Sequence, residues 1–149
     1  LIEAIEYPDK TFAIGVQWHP ETMLEYDENA NKLFDEFIKC ILHEFVHSCQ
    51  QELNSNSDGT AWYWEALAIN LSGQNYKPID LANCDFNKLQ KKLYDVDNCY
   101  DYSFTIGKYM LENYSKDQLL EYVKNPSLLK HDANDIFEFA KQSRINKVK

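Results

Sequence analysis

Leu33-Phe34-Asp35-Glu36-Phe37-Ile38-Lys39-Cys40-Ile41-Leu42-His43-Glu44-Phe45-Val46-His47-Ser48-Cys49 sets the terms for the whole chain. Apolar residues recur in pairs every four positions (Leu33/Phe34, Phe37/Ile38, Ile41/Leu42, Phe45/Val46) and continue to Cys49, the period of a helix seen from one side. The pattern predicts a helix from about Asn29 to Leu53. At about 100° per residue, His43 and His47 fall on the side opposite this stripe and on adjacent turns. The helix is therefore expected to pack by its apolar face and present two imidazoles with the other. Two imidazoles so placed can reach a single metal ion, and Glu44 points to the neighbouring sector, where a general base would sit.

A second segment, Trp62-Tyr63-Trp64-Glu65-Ala66-Leu67-Ala68, supplies what the first lacks. Glu65 would be a third ligand, delivered by a second helix, leaving the fourth tetrahedral position open to water, which is the layout of a catalytic rather than a structural metal site. His43, His47 and Glu65 sit among apolar neighbours, where unpaired polar groups are costly, so a shared metal explains them better than solvated charge. The competing explanation is a hydrogen-bonded core network of the same three residues without metal.

The polar run from Asn54 to Thr60 reads as a surface turn, with Thr60 or Asp58 able to cap the next helix. That helix carries Trp64, Leu67, Ala68 and Leu71 at core spacing and is expected to end at Gly73. Further helices are expected at about Phe86 to Tyr94 after Asp85, about Phe104 to Tyr114 after Ser103, Lys116 to Lys124 with a capping box in Ser115 and Gln118, and about Ala133 to Gln142 after Asp132. Upstream, residues 1 to 18 read as a hairpin, Leu1 to Tyr7 pairing with the alternating stretch that holds Phe12, Ile14, Val16 and Trp18 around a Pro8-Asp9 turn. The expected class is α+β, mainly helical, with an N-terminal β-hairpin ahead of a helical body.

With 44% apolar residues, 149 residues can bury one sizeable core but not two. A net charge of -9 excludes the clustered Lys and Arg of a nucleic-acid binder. No apolar run is long enough for a membrane span. Cys40, Cys49, Cys84 and Cys99 lack C-x-x-C spacing and are expected to be mostly buried thiols in a reducing, cytoplasmic setting. The chain begins at Leu1 rather than Met, and a truncated N-terminus is expected.

The His43-Glu44-x-x-His47 and Trp62 to Ala68 segments resemble the gluzincin metallopeptidases of the thermolysin-like zincin superfamily. The resemblance runs over roughly residues 40 to 143, with Tyr100-x-Tyr102-Ser103 leading into a helix similar to that family's helical half. It implies a zincin-like helical domain over residues 41–149, Zn2+ held by His43, His47 and Glu65, Glu44 as general base and acid, and a peptide or protein substrate. A further electrophile for the oxyanion is open among Tyr102, Tyr100 and His131, with Tyr102 preferred.

Residues 1–40 carry a different resemblance. Ala13-Ile14-Gly15-Val16-Gln17-Trp18-His19-Pro20-Glu21 is similar to the C-terminal end of class I glutamine amidotransferases, particularly the gamma-glutamyl-gamma-aminobutyrate hydrolases, and Asn31 to Phe37 is similar to that family's closing helix. It implies that His19 is the base for a cysteine nucleophile and that Glu21 orients it. All four cysteines follow His19 and none stands in a Gly-x-Cys-x-Gly elbow, so this machinery is expected to be incomplete, with His19 and Glu21 as remnants. The leading expectation is a zinc-dependent peptide-bond hydrolase. The alternatives are a fragment of a gamma-glutamyl hydrolase and a non-catalytic helical domain.

Overall fold

The computed structural model of the chain describes residues 4–6 and 14–145, and the statements below concern these. Two short strands, β1 (Ala4–Glu6) and β2 (Ile14–Val16), pair antiparallel with Ala4 opposite Val16, Ile5 opposite Gly15 and Glu6 opposite Ile14. The expected Pro8-Asp9 turn lies outside the described residues, as do residues 1–3, 7 and 11–13 of the expected strands, whereas β2 stops at Val16, two residues short of the expected Trp18. After a single helical turn at Pro20–Thr22 come six helices, α1 (Glu28–Leu53), α2 (Ala61–Ser72), α3 (Phe86–Lys91), α4 (Cys99–Asn113), α5 (Lys116–Lys124) and α6 (Pro126–Ile145). The class is thus mainly helical with a small antiparallel pair, as expected. No described helix is long and apolar enough to cross a membrane.

Local chemistry explains most of the boundaries. Asp27 caps α1 by accepting from the Asn29 amide at 2.8 Å, Asp85 caps α3 by accepting from Lys88, and Ser115 with Gln118 forms the reciprocal capping box of α5. Gly73 closes α2 at φ 72°, the left-handed conformation that glycine adopts without a Cβ penalty. Neither Thr60 nor Asp58 caps α2 through its side chain, because the Thr60 hydroxyl donates instead to the Ser57 carbonyl. The expected third helix stops at Lys91 and gives way to a separate turn at Leu93–Asp95. α4 starts at Cys99, five residues before the expected Phe104, so Ser103 lies buried inside the helix rather than at its cap. α6 also starts early, at Pro126, where proline loses nothing for want of an amide hydrogen.

The core forms around α2, which packs between α1 and α4, while α5 and α6 close the far side. Trp62 and Tyr63 are fully buried, and the Tyr63 hydroxyl donates to the Leu119 carbonyl at 2.8 Å, so the phenol end is satisfied inside the core. Trp62 meets Phe86 edge-on, and Phe86 stacks on Phe137 of α6 with centroids 4.4 Å apart. Of the residues expected to face the core from α2, Leu67 and Ala68 do so, whereas Leu71 is 57% exposed. The cysteines are unpaired, and only Cys99 is buried, with Cys40 and Cys84 half-buried and Cys49 exposed.

α1 reverses the expected orientation. Its stripe and its imidazoles do occupy opposite sides, but Phe37, Ile38, Ile41, Leu42 and Phe45 are 42–62% exposed while Gln50 is buried and His43, Val46 and His47 are half-buried. The helix meets the body with its polar side, because that side finds hydrogen-bonding partners on α2 and in the loop after it. Periodicity fixes the two faces of a helix and leaves open which one is turned inward.

α2 and α4 approach so closely that a Cβ built on Gly107 would stand 2.8 Å from the Ala66 carbonyl oxygen and 2.8 Å from the Asn70 amide nitrogen. Gly107→Ala gains about 1 kcal/mol of helix propensity. It also overpacks a contact that includes immobile backbone, which costs about 1–3 kcal/mol. We expect net destabilisation, read as a lower urea midpoint at unchanged m-value. A higher midpoint would show that the two helices can part without cost.

Candidate metal centre

Two helices bring the candidate ligands together. α1 carries His43, Glu44 and His47 in its second half, and α2 carries Glu65 one turn from its start. The Nε2 atoms of His43 and His47 lie 3.0 Å apart, His43 Nε2 is 3.4 Å from Glu65 Oε2, and His47 Nε2 is 3.7 Å from Glu65 Oε1. Ligand atoms at about 2.0–2.1 Å from a tetrahedral zinc are roughly 3.3 Å from one another. The observed separations bracket that value.

The donor set also fits on chemical grounds. Glu65 Oε1 accepts from the Tyr94 hydroxyl at 3.0 Å, but Glu65 Oε2 is buried without a hydrogen-bond partner. Burial pushes the Glu65 carboxyl up, yet His43 and His47 outweigh it and hold the group down at about 2. In turn the neighbouring Glu65 carboxylate, 3.7 Å away, raises His47 above its ordinary value against the opposing effect of burial. His43 Nδ1 stands 2.9 Å from Gln74 Oε1 and His47 Nδ1 stands 2.8 Å from Gln50 Oε1, so each imidazole is held by its other nitrogen while Nε2 faces the common point. Two nitrogens and a carboxylate oxygen are the ligand types that zinc takes in catalytic sites.

The cluster forms part of the lining of an open cavity of about 840 Å³. Glu44 lies on the same lining, and Phe37, Ile41, Trp64, Tyr76, Tyr94 and Tyr100 supply apolar and aromatic wall. Burial, followed by the Glu65 charge, pushes the Tyr100 phenol up to about 12, and the same two causes raise Tyr94 further. Both phenols stay protonated at neutral pH and can donate hydrogen bonds.

The remaining sequence candidates lie elsewhere. Tyr102, preferred as electrophile from the sequence, is 7% exposed within the apolar core and is not among the cavity-lining residues, whereas Tyr100 is. The physical reason is helical: two residues along α4 turn a side chain by about 200°, away from the cavity and into the core. His131 is on the exposed side of α6, bonded to Asp132 at 2.7 Å. His19 and Glu21 face each other at 2.9 Å on the Pro20–Thr22 turn, largely solvent-exposed, and neither lines the cavity. Sequence reading missed Tyr94, Gln74 and Gln50. Gln50 carried a signal, since it lies one turn beyond His47, whereas Tyr94 reaches Glu65 from a turn 29 residues downstream.

Against known proteins, the Peptidase C26 family model matches residues 1–21. That supports the likeness of this segment to gamma-glutamyl hydrolases and glutamine amidotransferases, which are cysteine-type hydrolases. The match covers His19 and Glu21 and stops before α1. No curated protein and no solved structure matches the chain.

Tyr94→Phe removes a hydrogen bond to a buried carboxylate, an interaction of about 1.5–3 kcal/mol when fully shielded. Because Tyr94 is itself mostly exposed, we expect a loss near about 1 kcal/mol, measured by urea unfolding in the presence of a chelator. An unchanged midpoint would remove Tyr94 from the support of Glu65.

Proposed function

We propose that the helical body is a zinc-dependent peptide-bond hydrolase of gluzincin type, with His43, His47 and Glu65 as ligands and Glu44 as general base. The observation that carries this reading is the convergence of three ligand atoms, all within 4.8 Å of one another, at the wall of an open cavity that Glu44 also lines. When bound there, zinc would supply a Lewis acid that polarises a carbonyl and acidifies water.

The chain's own residues account for the other steps. Glu44 accepts a proton from the attacking water and passes it to the leaving amine, one carboxylate serving as base and then as acid. The neutral phenol of Tyr100 is the donor available to a developing oxyanion, since the Tyr94 hydroxyl already donates to Glu65. A peptide would lie against the aromatic wall formed by Trp64, Tyr76 and Tyr100, because neither β1 nor β2 contributes to the cavity lining. The unpaired thiols suit a reducing, cytoplasmic setting.

A second reading is favoured by the family match. Residues 1–21 would be the C-terminal end of a cysteine-type gamma-glutamyl hydrolase, with His19 and Glu21, already paired at 2.9 Å, as the base and its orienting carboxylate. The comparison speaks for this reading and the geometry of α1 and α2 for the first. They concern different residues and separate cleanly by experiment.

Purified protein is expected to bind about one zinc per chain, measured by elemental analysis after dialysis. Glu65→Ala should weaken binding, and Glu44→Gln should retain metal while lowering kcat by about 10²–10⁴-fold on a peptide library. Folded wild type that takes up no zinc would sink the metal reading. Hydrolysis of gamma-glutamyl substrates that is abolished by thiol alkylation and by His19→Ala, and untouched by chelation, would establish the second.

A further inference from the structure

We propose that Gln50 is a positioning residue of the metal centre, its side-chain amide presetting His47 as an Nε2 ligand and tying that imidazole to the helix that carries Glu65. The inference rests on the metal-dependent reading above. Gln50 is 3% exposed and lies one turn beyond His47 on α1. Its Nε2 donates to the Trp64 carbonyl of α2 at 3.1 Å. A carbonyl oxygen only accepts, so the amide cannot be turned round, and Oε1 must be the atom that faces the imidazole. Oε1 stands 2.8 Å from His47 Nδ1 and also only accepts, so Nδ1 carries the hydrogen. In the neutral ring the lone pair is then on Nε2, the atom that faces His43 Nε2 at 3.0 Å and Glu65 at 3.7 Å.

Glu65 makes this arrangement necessary. A carboxylate beside a neutral imidazole favours the tautomer that donates to it, here Nε2–H, and a protonated Nε2 cannot ligate a metal. Gln50 opposes that tendency from the other side of the ring. It does so without adding charge, since an amide accepts as a carboxylate would while remaining neutral in a buried position. Because Trp64 immediately precedes Glu65, the same amide also fixes the imidazole of one ligand against the backbone beside another. Two of the three ligands are thereby held in register by one side chain.

The test uses Gln50→Leu, which removes acceptor and donor at similar size, and Gln50→Glu, which keeps the acceptor toward Nδ1. In metal-free protein at about pH 9, where imidazole is neutral, nitrogen chemical shifts report which ring nitrogen carries hydrogen. The four histidines allow assignment by single substitutions. The wild type should show His47 with Nδ1–H, Gln50→Glu should keep it, and Gln50→Leu should shift toward Nε2–H. Zinc Kd, read by chelator competition, should rise about 10- to 100-fold in Gln50→Leu and by less than about tenfold in Gln50→Glu. A folded Gln50→Leu protein that keeps Nδ1–H and the wild-type Kd overturns the proposal. If that variant does not fold, a wild-type His47 with Nε2–H, or Gln50→Glu with Nε2–H, overturns it equally. Wild type that takes up no zinc while its His47 tautomer still follows Gln50 defeats the hydrolase reading and leaves the assignment of Gln50 standing.

Discussion

The burial of the Glu65 carboxylate between two imidazoles is the constraint on which the rest of this structure turns. Taking an ionised carboxylate out of water costs several kcal/mol, and the cost is recovered only if charged or hydrogen-bonding groups surround it. His43, His47 and Tyr94 provide those groups, and the two imidazoles hold the carboxyl at about 2 despite its burial. The requirement explains why α1 turns its polar side to the body. The apolar stripe would have gained about 1.5–3 kcal/mol for each large side chain fully buried, and that gain is forgone here for Phe37, Ile38, Ile41, Leu42 and Phe45.

Stability must then come from elsewhere, and it comes from α2. Nearly every position from Trp62 to Ile69 is buried, so this helix is apolar all round and serves as the centre of the fold rather than as a surface element. Its contact with α4 leaves no room for a Cβ where Gly107 meets Ala66, and the Asn70 side chain, donating to the Ala66 and Phe104 carbonyls, bridges the two helices at that level. Glu65 is adjacent to Ala66, so the carboxylate stands on a backbone held tightly against α4. A charged group on such a backbone has little freedom to retreat to solvent. The imidazoles come to it.

This division accounts for what could be read from the sequence. Helix boundaries marked by local caps were legible, by side chain at Asp85 and at Ser115 with Gln118 and by backbone conformation at Gly73, because capping involves residues a few positions apart. The start of α4 was not legible, since Asn98 enters the helix at φ 58° with no side-chain cap and leaves no compositional mark. The spacing of His43, His47 and Glu65 anticipated that they would meet. Their supports were less visible: Tyr94 and Gln74 arrive from loops, and a contact made across tens of residues has no periodicity to betray it. The orientation of α1 does not follow from its apolar stripe, because the hydrogen bonds available to the opposite face outweigh hydrophobic burial there.

The charge balance of the cavity gives the arrangement its direction. Among the described residues no Lys or Arg lines it, and its carboxylates are Glu44 and Glu65. Burial and the Glu65 charge hold Tyr94 and Tyr100 neutral, so the aromatic wall supplies dipoles and no compensating cation. The two acidic side chains, Glu44 and Glu65, share a pocket with no basic Lys or Arg, in a chain that is already acidic. A divalent cation would offset both, satisfy Glu65 Oε2, and separate two imidazole nitrogens that stand 3.0 Å apart. Without any ion, the contacts of His43 with Gln74 and of Gln50 with the Trp64 carbonyl already draw the polar side of α1, rather than its apolar stripe, to the core.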